Sequence, residues 1–376
     1  MGSGLILQPT GLGVLSALGL AEEIMQRGAI IERLFGRAHP SGRVVLDVRY
    51  AAMAGGWAGL AVHRAALFDV LHEAVNTAGI PIRTSTAVTA SKVALGRREI
   101  ATESGEIIGA FDLVVDAMGA RSPLRPQVAT SVLTYGALWA NVPFTENSGF
   151  AANALEQRYF HASRMAGVLP TGAREPGAAP QAAFFWSIRR GDVARWRDNG
   201  IARWKDEVGA LWPECLPLLE HLRSPDDLTP AHYEHFTLLR PYDDHLAHVG
   251  DSAHSTSPQL GQGANMALLD AMALALAMEN ARNVPEALNH YADLRRWHVR
   301  LFQWASAAFT PFYQSDNVIL PIVRDRIAAP LSRLPLADAL LARLVSGLTV
   351  PPLGSGRFVP FQALPGDRAV TQQISY

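Results

Sequence analysis

Residues Gly250–Ala271 read GDSAHSTSPQLGQGANMALLDA. Gly250, Asp251, His254, Pro258, Gly261 and Gly263 crowd a loop that runs straight into an apolar helix. The preceding LAHV reads as a short strand. In open α/β sheets, ligands sit beyond the carboxyl ends of strands. Asp251 stands at such an end, placed to accept hydrogen bonds from a ligand hydroxyl. Gly261, Gln262 and Gly263 let backbone N–H groups approach a ligand without Cβ interference. The helix that begins near Ala264 aims its positive end at the same spot. Asn265 adds side-chain donors and an acceptor in the first turn. Met266–Met278 is apolar on nearly all sides, so the helix is buried and its N-terminus is firmly held. This pattern favours a flat, polar-edged, electron-rich ligand that carries or develops negative charge. The bland alternative is that the glycines and Pro258 only shape a tight connection.

Working outward, strand and helix signals alternate before the loop. Leu5–Gln8 reads as a strand, and Thr10 is placed to cap a helix reaching about Arg27. Arg43–Arg49, Ile80–Ile82 and Val88–Leu95 read as strands, and Phe111–Ala117 as a buried parallel one. Arg64–Ala78 carries Leu67, Leu71 and Val75 at four-residue spacing, an amphipathic helix ended by Gly79. After about Pro126 the texture becomes strand-rich, with Leu133–Val142 and Ala182–Arg189 as the longest strands and a turn-rich loop between them. Val193–Leu222 reads as helix, Thr237–Arg240 and Leu246–Val249 as strands, and Asn289–Val345 as mostly helix. The Gly- and Pro-rich tail from Pro351 reads as an extended arm.

Bulk composition narrows the function classes. The 376 residues are 49% hydrophobic and 18% charged, an ordinary folded composition. That length calls for two or three structural units. A net charge of -1 gives no electrostatic case for nucleic acid or an anionic membrane. The single cysteine, Cys215, excludes an internal disulfide and a cysteine-based metal cluster, and no metal site is expected. No signal peptide and no apolar span of about 20 residues is visible, so a cytoplasmic location is the default expectation.

The string Gly250–Ala271 resembles the second flavin-binding motif of class A flavoprotein monooxygenases, the group that resembles para-hydroxybenzoate hydroxylase. The match covers Gly250, Asp251, Ala253, His254, Pro258, Gly261, Gln262, Gly263, Asn265, Asp270 and Ala271. VHRAALFDVL resembles the family's R-x-x-L-x-x-x-L helix, and DLVVDAMGARSPLR its D-L-V-V-G-A-D-G-A-R-S-x-x-R turn. The resemblance implies FAD as cofactor, NAD(P)H as co-substrate and a small organic, for instance aromatic, substrate. Asp251 would bond the flavin ribityl chain, with Gly250 at the strand end beside it. Pro258 would line the reaction side, and Gly261, Gln262, Gly263, Ala264 and Asn265 would contact the pyrimidine end of the ring. Arg64 would reach the cofactor. His254 has two readings, a group that acts on substrate or one that packs within the loop. Phe184, Phe185 and Trp186 line a substrate pocket or, by the better reading, pack the core. No residue is assigned as a proton donor.

The pattern fails in two places. Asp116 stands where glycine is usual, and Met118 where an aspartate is usual; methionine cannot accept a strong hydrogen bond. GLGVLS at Gly11–Ser16, with Glu32-Arg33 downstream, imitates the G-x-G-x-x-G fingerprint of a dinucleotide-binding βαβ unit. It is better aligned with the family's next segment, so the expectation is that the first βαβ unit and its pyrophosphate cradle are absent. The expected architecture is α/β (α+β): an interrupted FAD-binding Rossmann-like domain (1–128 and 241–290), an inserted β-sheet substrate domain (129–240), and a helical C-terminal region with tail (291–376). The expected function is that of an FAD-dependent monooxygenase. The alternatives are a truncated, non-catalytic remnant that binds small molecules, or another flavin oxidoreductase. The substrate, the choice of NADH or NADPH and the oligomeric state are not encoded in any motif found.

Overall fold

A computed structural model describes residues 4–145, 147–354 and 358–364. The end of the predicted C-terminal arm and the first residues of the family resemblance lie outside them. The two long strands expected in the middle block are present, and two more that the sequence reading did not mark lie between them. They are β11 (Tyr135–Pro143), β12 (Ala154–Phe160), β13 (Arg164–Gly172) and β14 (Gln181–Arg189). With β3 (Arg33–Ala38), β4 (Val44–Arg49) and β15 (Thr229–Ala231) they form a seven-stranded sheet, ordered β15-β11-β14-β13-β12-β3-β4. All pairs are antiparallel except β12 with β3. One face packs Leu138, Phe184 and Trp186 against Trp204 and Val208 of α4 (Val193–Leu211). The other face buries Phe185, Tyr159 and Met165.

A smaller sheet holds β1 (Gly4–Leu7) and β2 (Ala29–Ile31) on either side of β5 (Gly59–His63), all antiparallel. Its flanking helices are α1 (Pro9–Ala17), α2 (Ala21–Met25) and α3 (Arg64–Thr77). A three-stranded meander, β6 (Val88–Ala94), β7 (Arg97–Thr102) and β8 (Ile107–Phe111), leads to β9 (Val114–Asp116). A small sheet joins β10 (Ser131–Val132), β16 (Glu234–Thr237) and β19 (His254–Ser255). A further one joins β17 (Tyr242–Asp243), β18 (Leu246–His248) and β9, with β9 at its edge and parallel to β18. The quoted loop follows β18 and enters α5 (Gly263–Asn280), which packs on α6 (Val284–Tyr313). Short turns α7 (Leu320–Val323) and α8 (Ala329–Leu331) and helix α9 (Pro335–Val345) complete the described chain.

Several local expectations need correction. The helix predicted to reach Arg27 breaks at Gly19, whose φ of +75 ends α1 before α2 begins. Thr10 lies inside α1 and is not its cap; Pro9 occupies the first turn and Gln8 precedes it. Ile80–Ile82 is an exposed loop, because no neighbouring strand pairs with it. The predicted strand Phe111–Ala117 splits, since a turn separates β8 from β9. The helix predicted over Val193–Leu222 kinks at Gly200 (φ 79) and becomes 3₁₀ at Pro213–Leu219.

Candidate functional site

The loop at the N-terminus of α5 is built from internal partnerships. Gly250 adopts φ +58, and a Cβ there would stand 3.0 Å from the Ala267 side chain, so glycine lets the loop lie against α5. Its N–H donates to Asp270 Oδ2 at 2.8 Å. Asp270, fully buried, also accepts from Arg295 Nε at 2.7 Å and pairs with His254 Nε2 at 2.6 Å. Burial alone would raise this carboxyl, but the His254 and Arg295 charges outweigh it and hold it well below the usual carboxylate range. His254 is thus engaged with Asp270 within the protein.

Asn265 is likewise buried and committed. Its Oδ1 accepts from the Gln8 N–H at 2.7 Å, and its Nδ2 donates to the carbonyls of Ile6 and Gly261, each at 3.0 Å. Gln262 donates to the Val345 carbonyl at 2.5 Å. Gly261 closes the Pro258–Leu260 turn in the left-handed region, φ +62, as a residue with a Cβ rarely does. Gln259 donates to Gln314, and Gln314 to the Gly136 carbonyl, so the turn reaches β11.

What this loop turns outward is backbone. No side chain caps α5; Gly263 is exposed, and a Cβ there would meet nothing within 4 Å. The first N–H groups of an α-helix have no partner within it, so an uncapped, open N-terminus is an acceptor-seeking surface. Asp251, in the short turn that follows β18, is exposed. Its carboxyl is raised by desolvation, against the opposing charges of His254 and Arg64. Arg64, at the start of α3, is exposed and makes no hydrogen bond among the described residues; its charge is felt by Asp251 and by Tyr233. The structure thus brings Arg64 close enough to Asp251 for its charge to act on that carboxyl, one short turn before the segment Pro258–Asn265.

The end of β9 is different. Asp116 is buried, accepting from Ser122 Oγ at 2.7 Å and the Met118 N–H at 3.0 Å, with His248 Nδ1 at 2.8 Å. Burial opposes its ionisation, but these bonds lower the carboxyl overall. The Met118 side chain is 43% exposed. GLGVLS lies within and just at the end of α1, mostly buried. A Cβ on Gly11 would come within 2.1 Å of Asn265 Oδ1, and one on Gly13 within 2.6 Å of the Val359 carbonyl. These glycines serve close helix packing, not a phosphate. Arg33 forks onto Asp47 at 2.7 and 2.9 Å, far from any nucleotide role. FAD thus fits at its ring and ribityl end, where open N–H groups and Asp251 await acceptor and hydroxyl. Among the described residues nothing cradles a pyrophosphate.

The sequence reading passed over two residues that bond to each other. Trp139 of β11 donates to the Tyr233 hydroxyl at 3.0 Å, and its ring lies 4.9 Å from that of Phe185. No spacing flags Tyr233, because its bond to Trp139 joins residues 94 positions apart. Phe184 and Trp186 face α4 instead, as core packing requires, and Trp186 borders a separate cavity of about 330 Å³.

Residues 2–303 match the family described as FAD binding domain. The chain belongs to this family of FAD-dependent monooxygenases. As a member of the FAD-binding-domain family it is an FAD-dependent oxidoreductase, and NAD(P)H is the family's usual co-substrate. It is 25% identical over 311 residues to a Rhodococcus erythropolis protein described as a 2-heptyl-3-hydroxy-4(1H)-quinolone synthase, spanning 81% of this chain and 77% of that protein. Its fold is similar to that of Klebsiella pneumoniae HpxO, solved with FAD and uric acid: TM-score 0.76, 18% identity, 92% of this chain and 88% of that one. It is also similar to the tetrameric form of 2-methyl-3-hydroxypyridine-5-carboxylic acid oxygenase: TM-score 0.73, 21% identity, 94% and 89%. No helix among the described residues is long and apolar enough to cross a membrane.

Proposed function

We propose that this protein monooxygenates a small, flat, nitrogen-containing ring compound. The observation that carries the reading is the uncapped N-terminus of α5 beside Gly261, in the loop that follows Asp251, whose carboxyl feels the Arg64 charge. Bound there, a flavin supplies the redox and oxygen chemistry. The chain's own part is to position and to shield. The N–H groups of Gly263 and Ala264 face the electron-rich pyrimidine edge of the ring, where negative charge develops on reduction. Asp251 accepts a ribityl hydroxyl; Gly250, Gln262 and Asn265 hold the turn in place. Pro258 and Gly261 form the wall toward the substrate, and Trp139 and Tyr233, backed by the buried Phe185, offer aromatic surface on the opposite side. Quinolones, urate and hydroxypyridine carboxylates, named with the similar proteins, share the flat nitrogen heterocycle that such a slot accepts.

The test is direct. The purified chain is mixed with flavin, and oxidation of NADH and of NADPH is followed with each of those ring classes present. A ring compound that stimulates oxidation and gains one oxygen atom by mass spectrometry supports the reading. Flavin bands that never appear, or oxidation indifferent to every ring class, would sink it.

A further inference from the structure

We propose that the cavity between α4 and the start of β13 is a second binding site, for a small flat carboxylate. It offers about 330 Å³, within the range of small-ligand pockets, about 300–1,000 Å³. Trp186 and Ile188 line it from the α4 face of the seven-stranded sheet, whereas Phe185 packs on the other face. The site therefore stands apart from the flavin reading and does not rest on it. Helix α4 is kinked where it borders the cavity. Gly200, at φ 79 and ψ 169, holds a conformation almost confined to glycine. A Cβ there would meet nothing within 4 Å, so backbone conformation and not crowding requires the glycine. Asn199, Gly200 and Arg203 all border the cavity, so the kink is part of its wall. Trp196 and Trp204, one from each side of the kink, add aromatic surface, and Trp204 packs edge-on against Trp186 at 6.5 Å. Both are buried, yet neither indole N–H has a hydrogen-bond partner among the described residues, which is unusual for buried tryptophan. An acceptor oxygen in the cavity would complete this wall. Charge selects that acceptor. The carboxylates that border the cavity are Asp192, Glu207 and Asp316; Asp192 is paired with Arg195 at 2.9 Å and Asp316 with Arg189. Arg164 and Arg203 make no ion pair or hydrogen bond among the described residues, which sets two free guanidinium groups against Glu207. That surplus favours an anion, and a guanidinium matches a carboxylate with two parallel bonds. The indole rings favour a flat, apolar body behind it.

The experiment titrates the full chain by calorimetry with 2-naphthoate, with its uncharged amide and with inorganic phosphate. The acid is expected to bind about tenfold tighter than the amide, as a charge-assisted contact implies. Phosphate should bind at least about tenfold more weakly than the acid, since it gains nothing from the aromatic walls. Arg164→Gln with Arg203→Gln, both at exposed positions, should bring the acid down to the level of the amide and leave the amide unchanged. Gly200→Ala, which strains the kink, should weaken acid and amide by the same factor in a chain whose circular dichroism is unaltered. Equal affinity for acid and amide, an acid titration that the arginine variant does not change, or phosphate as tight as the acid overturns the inference. So does an acid that does not bind at all. None of these outcomes bears on the flavin reading, which the oxidation assay tests separately.

Discussion

The N-terminus of α5 and the end of β9 are two strand-end turns that a dinucleotide would join, and they are built in opposite ways. At α5, the polar side chains that shape the turn point inward. Asn265 binds Gln8, Ile6 and Gly261, and Asp270 binds Gly250, His254 and Arg295. That commitment leaves backbone N–H groups fixed and facing out, which is preorganisation. At β9, Asp116 also points inward, but what faces out is the Met118 thioether and the bare backbone of Gly119. The α5 turn presents the N–H donors of a helix end, which the helix dipole reinforces, whereas the β9 end presents a thioether and a single glycine with no helix behind it.

The largest effect expected from breaking this contrast is at Asp270. Removing one partner of a buried ion pair leaves the other charge without compensation, at a cost of about 3–5 kcal/mol. Asp270→Ala strands Arg295, itself 2% exposed, and frees the Gly250 turn. Chemical unfolding followed by circular dichroism should show that loss, together with loss of flavin binding. Asp116→Ala should cost less, about 1–3 kcal/mol, because it removes hydrogen bonds to Ser122 and His248 and strands no buried arginine. Its flavin binding should stay close to that of the unaltered chain. Equal costs, or loss of flavin with Asp116→Ala, would erase the distinction between the two turns.

The α5 turn was legible in the sequence because its shape needs unusual backbone, and glycine and proline record backbone. Gly250, Gly261 and Pro258 all stand where the turn requires them. The partners were less legible. His254 meets Asp270 sixteen residues on, and Asn265 meets Gln8 across 257 residues; no local spacing announces either. The sheet core followed from β-branched and aromatic runs at β11 and β14, whereas β3 and β12 were missed. Their parallel pairing joins residues more than a hundred positions apart. Met118 was read as a departure from the family pattern, but its neighbour Asp116 was not seen as the centre of a buried network. Two residues out of pattern said only that the turn differs, not what replaced it.

A pH series separates the α5 side from the rest. His298 of α6 is buried, and since the Gly347 carbonyl only accepts, its Nε2 carries the hydrogen across 3.1 Å. Desolvation first, then the Arg295 charge, push it well below its ordinary value of 6.5. The unfolded chain therefore takes up a proton near pH 6.5 that the folded chain refuses, so stability is full above that pH and declines below it. The loss should reach about 1 kcal/mol at pH 5.5. His298→Gln, which keeps a donor for Gly347, should flatten the curve between pH 6.5 and 5.5. A second decline should follow below about pH 3.8, where the unfolded form of Asp270 takes a proton and the folded one does not. An unchanged curve in His298→Gln would assign the first decline elsewhere.

The smallest effect expected is at Met118, and its smallness is informative. If β9 offers nothing to a ligand, replacing an exposed side chain there disturbs nothing: Met118→Asp should change stability by no more than about 0.5 kcal/mol. It should also leave riboflavin affinity unchanged, since the ring end lies at the other turn. A gain of tenfold or more in FAD over riboflavin from this single change would mean that the β9 end is already shaped for the adenosine side, and that Met118 alone had masked it.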